Sequence, residues 1–171
     1  MKQLLGATLA VLLAHSASAT TLAEIDAAAA SLQDLSEQLP LTQRVSVFVR
    51  EPSRGYGMYE ERENAVFRAG EPIVTYVEPV GYGWNEAPDG RHELAFDVDL
   101  KLFTGEGELA TEQEGFLQYR AASRKKNLEF SLDLTLTLNE APAGSYTVEY
   151  TVHDRSSGES SSFRQDFEIA D

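Results

Sequence analysis

Over long stretches of this chain apolar and polar residues alternate one for one, a period that suits strands with one buried face. Leu94, Phe96, Val98, Leu100 and Leu102 are interleaved with Ala95, Asp97, Asp99 and Lys101. Leu128, Phe130, Leu132, Leu134, Leu136 and Leu138 are interleaved with Glu129, Ser131, Asp133, Thr135 and Thr137, which predicts one long strand. Val45, Val47 and Val49 carry the pattern early, Tyr146, Val148, Tyr150 and Val152 carry it late, and Phe163, Phe167 and Ile169 share a face of a closing strand. Successive side chains of a strand leave opposite faces, so each run offers one face to a core and one to water. Turn-forming clusters at Pro52–Gly57, Ala69–Pro72, Ala87–Gly90, Thr104–Gly107, Asn139–Gly144 and Asp154–Gly158 divide the runs, and the polar tract Ser156–Ser162 reads as a solvated hairpin loop. About seven to nine short strands with hairpin-length connections predict a mainly β fold, an antiparallel β-sandwich over residues 41–171.

One segment has the helical period instead. Thr21 followed by Glu24 has the spacing of a capping box, and Leu22, Ile25, Ala28, Leu32, Leu35 and Leu39 recur every three or four residues. This predicts an amphipathic helix from about Leu22 to Gln38, closed by Pro40, within a 20–40 segment. An isolated helix of this length is marginal in water, so its apolar stripe is expected to lie across the sandwich or its edge, or to pair with a partner.

Ahead of the helix, residues 1–19 have the three parts of a secretory signal peptide. Lys2 supplies the basic start, Leu4–Ala14 the apolar run, and Ala17-Ser18-Ala19 a small-residue site for cleavage before Thr20. The apolar run is too short to span a bilayer, and with no cysteine after the cleavage point a lipid-modified N-terminus is excluded. The sequence therefore predicts a protein exported to the periplasm or beyond, with no membrane insertion after cleavage. The remaining 152 residues suffice for one domain, which must be held by packing alone because there is no cysteine. Without Lys2 the balance is 13 basic against 28 acidic side chains, a net charge of −15 that repels phosphate backbones and anionic lipid. Nucleic acid and membrane surfaces are accordingly poor partners.

The same residues argue against catalysis. His92 and His153 are the two histidines outside the leader, so with no cysteine a zinc site built from His and Cys is ruled out. His153 precedes Asp154 at a strand end with no nucleophile elbow, which reads as a histidine entering a turn. Asp97 and Asp99 share one strand face and Asp133 lies on the wet face of another; nothing in the sequence separates their proton affinities as a glycosidase requires, so they read as a solvated surface. The segments RGYGMYEE and GYGWNE lack the lysine and the strand-to-helix setting of a phosphate loop, and no Asp-x-Asp-x-Asp-Gly run marks a calcium site. No cofactor is predicted.

Two surface features remain as candidate contact sites. Tyr56 and Tyr59 fall in one turn-rich segment, and Tyr82 and the single tryptophan, Trp84, fall among the glycines of VEPVGYGWNEAPDG. If those loops share an end of the sandwich, the four rings form a shallow platform for sugar faces or an extended peptide; otherwise Tyr82 and Trp84 plug the end of the core. Arg120, Arg124, Lys125 and Lys126 make a basic patch on an acidic chain, suited either to relieving local repulsion or to holding an anionic partner.

The C-terminal stretch APAGSYTVEYTVHDRSSGESSSFRQDFEIAD resembles the last two strands of immunoglobulin-like domains of bacterial envelope proteins. Gly144 and Tyr146 lead into the alternating strand Val148, Tyr150, Val152; Asp154 and Gly158 make the turn; Phe167 and Ile169 close the domain. FRAGEPIVTYVEP is similar to an early strand of the same broad group. The resemblance implies the immunoglobulin-like sandwich, with Tyr146 in the place of a tyrosine-corner residue whose hydroxyl bonds back to the preceding connection. With the exclusions above, the expected role is a non-catalytic exported module that binds or scaffolds another envelope protein, with glycan binding through the aromatic loops as the alternative.

Overall fold

The computed structural model describes residues 20–170, so the leader over residues 1–19 lies outside the described residues. The capping box forms as its spacing requires: the Thr21 backbone N–H donates to the Glu24 carboxylate at 2.7 Å, and Glu24 N–H donates back to the Thr21 hydroxyl. Helix α1 then runs Leu22–Ser36 and stops at Glu37, two residues short of the predicted Gln38. No described helix is long and apolar enough to cross a membrane.

The rest is strand, in two sheets. The first is β1 (Thr42–Val49), β3 (Pro72–Val80) and β7 (Leu132–Thr137), in that order. The second is built on β5 (His92–Thr104), with β8 (Gly144–Asp154) on one side and β6 (Leu109–Ser123) on the other. Beyond β8 come β9 (Ser160–Ala170) and the short β2 (Val66–Arg68), while β4 (Asn85–Glu86) takes the edge of β5 where β8 stops. The sheets meet mostly through the faces predicted to be apolar, with Phe96, Val98, Leu134, Val148, Tyr150 and Ile169 among the side chains buried between them; β1 is reversed, for Phe48 packs on this core while Val45, Val47 and Val49 face the other way. The architecture is thus mainly β, a two-sheet sandwich with one helix.

Three features depart from the sequence reading. Strand β2 runs parallel to β9, with Phe67 opposite Ile169, so the larger sheet is mixed rather than purely antiparallel. The parallel course sets Phe67 edge-on to Phe48 and Phe167, at 5.3 and 6.0 Å between ring centroids. Second, the alternation that begins at Leu128 makes ladder bonds only from Leu132, because residues 124–131 carry the chain from one sheet to the other; Phe130 stacks on Phe96 at 5.4 Å on the way. Third, β3 is buried on both faces. Ile73 and Val77 point into the main core, whereas Val74 and Tyr76 form a second core on the outside of the small sheet, covered by the loop through Tyr59.

Tyr146 donates its hydroxyl to the Pro142 carbonyl at 2.8 Å, the bond back to the preceding connection expected of that residue. Helix α1 has no buried residue, and Leu22, Ile25, Leu32 and Leu35, with Leu39 just beyond it, remain between 49% and 73% exposed. The stripe does not lie across the sandwich. The helix meets the domain along a neighbouring flank, where Lys126 Nζ reaches Glu37 at 2.6 Å.

Candidate functional site

The four rings of the aromatic candidate separate into different surroundings. Tyr59 stacks on the buried Tyr76, 4.1 Å between centroids, and belongs to the outer core. Tyr76 in turn donates to the buried Glu78 carboxylate at 2.7 Å and accepts from Gly57 N–H, and burial next to that carboxylate pushes its hydroxyl up to about 12. Tyr82 lies in the main core at 3% exposure, edge-on to Phe96 and Phe130. Its hydroxyl donates to the Asn127 carbonyl, and burial raises its proton affinity. Trp84 is half-buried against the same core, 6.1 Å from Tyr82, with its indole N–H enclosed and without a partner among the described residues. Tyr56 is half-buried, its hydroxyl accepting from Arg44. Tyr82 has no free ring face, so the four rings present no common platform.

Close approach requires glycine at Gly81 and leaves little room at Gly83. A Cβ on Gly81, where φ is +78°, would stand 2.5 Å from the Pro40 carbonyl oxygen, and one on Gly83 would stand 3.2 Å from Ser157. The chain leaving the helix and the β8–β9 turn thus press on the backbone beside Tyr82. Asp154, 1% exposed, closes the arrangement by accepting from Gly83 N–H, Ser156 N–H and the Ser157 hydroxyl.

The carboxylates also have structural partners. Asp97 bridges Arg120 and Arg155, at 2.6 and 2.5 Å, and its proton affinity is lowered first by the hydrogen bond from Arg120. Asp99 sits where β6 bulges, at Gly115 with φ +61°, and accepts the freed Gly115 N–H at 2.7 Å. Asp133 accepts from Ser53, pinning the loop over the outer core. Asp133 faces outward from the small sheet and Asp97 and Asp99 outward from the large one, so Asp133 stands apart from the other two.

Strand register creates one relay invisible in sequence. His153 lies opposite Asp97 on β5, and its ring bridges Ser160 Oγ, 2.7 Å from Nδ1, and Asp99 Oδ2, 2.8 Å from Nε2. Its carboxylate neighbour is therefore Asp99, not the adjacent Asp154. Hydroxyl, imidazole and carboxylate in line are the components of nucleophilic catalysis. Here they lie on the outer face of a sheet, and a neighbouring recess of about 180 Å³ is lined by Asp99 but by neither His153 nor Ser160. Among the described residues no cluster of three or more His, Cys, Asp or Glu could hold a metal.

The basic patch splits. Arg120 is spent on Asp97 and on the Phe96 and Tyr119 carbonyls. Arg124, Lys125 and Lys126 instead turn toward α1 and, with His92, form one wall of a groove of about 690 Å³ whose other wall is the alanine-rich flank of the helix. His92 was not predicted to join them; the β5–β6 pairing of His92 with Ser123 brings it there.

Comparison with known proteins adds little. No protein-family profile matches the sequence, and no curated protein matches it. Among solved structures the chain is similar to the superoxide reductase (neelaredoxin) from Ignicoccus hospitalis, at 16% identity and a TM-score of 0.39, over 89% of this chain and 100% of that one.

Proposed function

We propose that this chain is a non-catalytic, exported, immunoglobulin-like module that binds another envelope protein through the apolar stripe of α1. The observation that carries the reading is the stripe itself: Leu22, Ile25, Leu32, Leu35 and Leu39 stand in water on a helix that is tied to the domain at its C-terminal end by Lys126 and Glu37. Contiguous exposed apolar surface on a soluble domain marks an interaction site. The chemistry of the occupant follows from charge. Glu24, Asp26, Asp34 and Glu37 flank the stripe, and no lysine or arginine falls between residues 20 and 43. A second copy of the helix would bring like charges together, whereas an amphipathic segment bordered by Lys or Arg would be drawn in. The Tyr146 corner supports the immunoglobulin-like assignment.

A photo-crosslinking residue placed at Leu32 in the native envelope tests this. The expected product is a discrete adduct with one basic polypeptide, absent when the crosslinker sits at Ala27 on the other side of the helix. The purified partner should bind the wild type and bind the Leu35→Ser variant at least tenfold less well, since burying one leucine contributes about 1.5–3 kcal/mol. Adducts formed only with a second copy or with lipid would overturn the reading.

A further inference from the structure

We infer that β6 is the edge at which a second copy of this chain extends the larger sheet, antiparallel and about a two-fold axis at Phe116. At 15 residues β6 is the longest described strand, and among the described residues it has one ladder partner, β5. Its far edge presents backbone N–H and C=O groups with no proline to interrupt them, a template for another strand. The other margins offer less. Strands β2, β4 and β7 have 3, 2 and 6 residues, and the chain from Glu60 to Arg62 already bonds along the end of β1. The helix stands clear of the edge, for no residue of β6 lines the groove beside α1.

The order of charges along β6 identifies the occupant. From Glu106 to Glu114 the chain carries four glutamates and no base; from Arg120 to Lys126 it carries four bases and no acid; the residues between are uncharged. None of the four glutamates holds an ion pair among the described residues. On the basic side Lys126 is tied to Glu37, and Arg120 to an Asp97 that it shares with Arg155; Arg124 is exposed and holds no ion pair among the described residues. A copy laid parallel and in register would set acid against acid. A copy laid antiparallel sets each acidic half along a basic half, and a lone acidic or basic peptide would match only one of them.

Register sharpens the match. With Phe116 opposite its own copy, Glu112 meets Arg120 and Glu108 meets Arg124, and the two-fold axis makes each pair twice. Glu112 and Arg120 leave the same face of the sheet, since they lie opposite Lys101 and Ala95 of β5, so the pairs form across one continuous surface. The bulge falls on the axis: Glu114, Gly115 and Phe116 oppose the single residue Asp99, which separates the acidic half of the strand from the basic half.

Sedimentation velocity at physiological ionic strength, where charges are screened beyond about 8 Å and the net charge of each copy acts little outside the contact, tests the proposal. The protein from Thr20 onward is expected to show a reversible monomer–dimer equilibrium. Glu108→Lys and Arg124→Glu should each weaken the dimer about tenfold, because each reversal makes two repulsive pairs, and combining them should restore it. Both positions are exposed, so the fold is left intact. The chain has no cysteine, so Thr111→Cys and Ala121→Cys, which the axis sets opposite one another, should oxidise to a disulfide when the two variants are mixed and stay unlinked alone. Leu35→Ser, on the stripe of α1, should leave the dimer unchanged, so this contact and the stripe are read separately. A monomer at every concentration, a dimer indifferent to Glu108 and Arg124, or single-cysteine variants that link to themselves would each overturn the proposal.

Discussion

The Asp154 carboxylate holds the backbone N–H of Gly83, seventy-one residues away in the chain, at 2.7 Å. It binds the segment that carries Tyr82 and Trp84 to the turn between β8 and β9. Asp154→Ala would remove the acceptor shared by the part-buried Gly83 and Ser156 amides and the Ser157 hydroxyl. Because water can reach these donors in part, a loss of about 1–3 kcal/mol in all is expected in urea denaturation, with Asp154→Asn recovering part of it.

Gly81 and Gly107 separate close approach from backbone conformation. Both have positive φ, +78° and +82°, but a Cβ on Gly107 meets nothing within 4 Å while one on Gly81 runs into Pro40. Gly107→Ala should therefore cost about 1 kcal/mol, the ordinary penalty of a left-handed alanine. Gly81→Ala should cost at least twice that, as read by thermal melting of the two variants side by side.

Trp84, half-buried against Tyr82, should emit to the blue of free tryptophan and be only partly quenched by acrylamide. Adding cell-wall or polysaccharide fragments should leave that emission unchanged. A shift produced by one glycan class, and abolished by Trp84→Ala in a folded protein, would move the functional site to this loop.

Acid should destabilise the fold in a predictable window. Asp97 is lowered chiefly by Arg120, and Glu37 chiefly by Lys126. Burial pulls Asp99 upward, but Gly115 N–H and His153 together outweigh it. Each group is more acidic folded than unfolded, so its contribution is complete above the ordinary values, 3.8 for Asp and 4.5 for Glu, and drains as pH falls through the depressed ones. Asp97→Asn should flatten part of the acid limb of a stability–pH profile while lowering its neutral plateau.

The link between Lys126 and Glu37 should govern the helix and spare the sandwich. Both side chains are about one-third exposed. Lys126→Ala is expected to change global melting by at most about 1 kcal/mol. Amide exchange in α1 should quicken several-fold, which hydrogen-exchange mass spectrometry resolves.

Local rules made the architecture readable. Thr21 and Glu24 announced the start of the helix, and the alternating runs around Phe96, Val148 and Leu134 announced which faces would meet. Strand β6 was not predicted, because the bulge at Gly115 breaks its period and its first half, Leu109–Glu114, is exposed on both faces. The sites were less legible because they depend on register. Nothing near His153 in sequence points to Asp99, and nothing near Arg124 points to His92; each neighbour is set by pairing with β5. The aromatic segment looked like a surface because glycines flanked its rings, yet those glycines admit Pro40 and Ser157 against the backbone beside a buried tyrosine.

The parallel seat of β2 beside β9 has a consequence for the order of folding. Phe67 emerges from the ribosome about a hundred residues before Ile169, the position it faces. Until β9 arrives, β2 has no strand to join and β8 lacks its outer neighbour. The larger sheet can be completed only after Ala170 has been made. Such long-range closure is slow, and the nascent chain keeps its apolar faces open while it waits. A chain arranged in this way cannot close its larger sheet until the strand that joins β8 to β2 has been made.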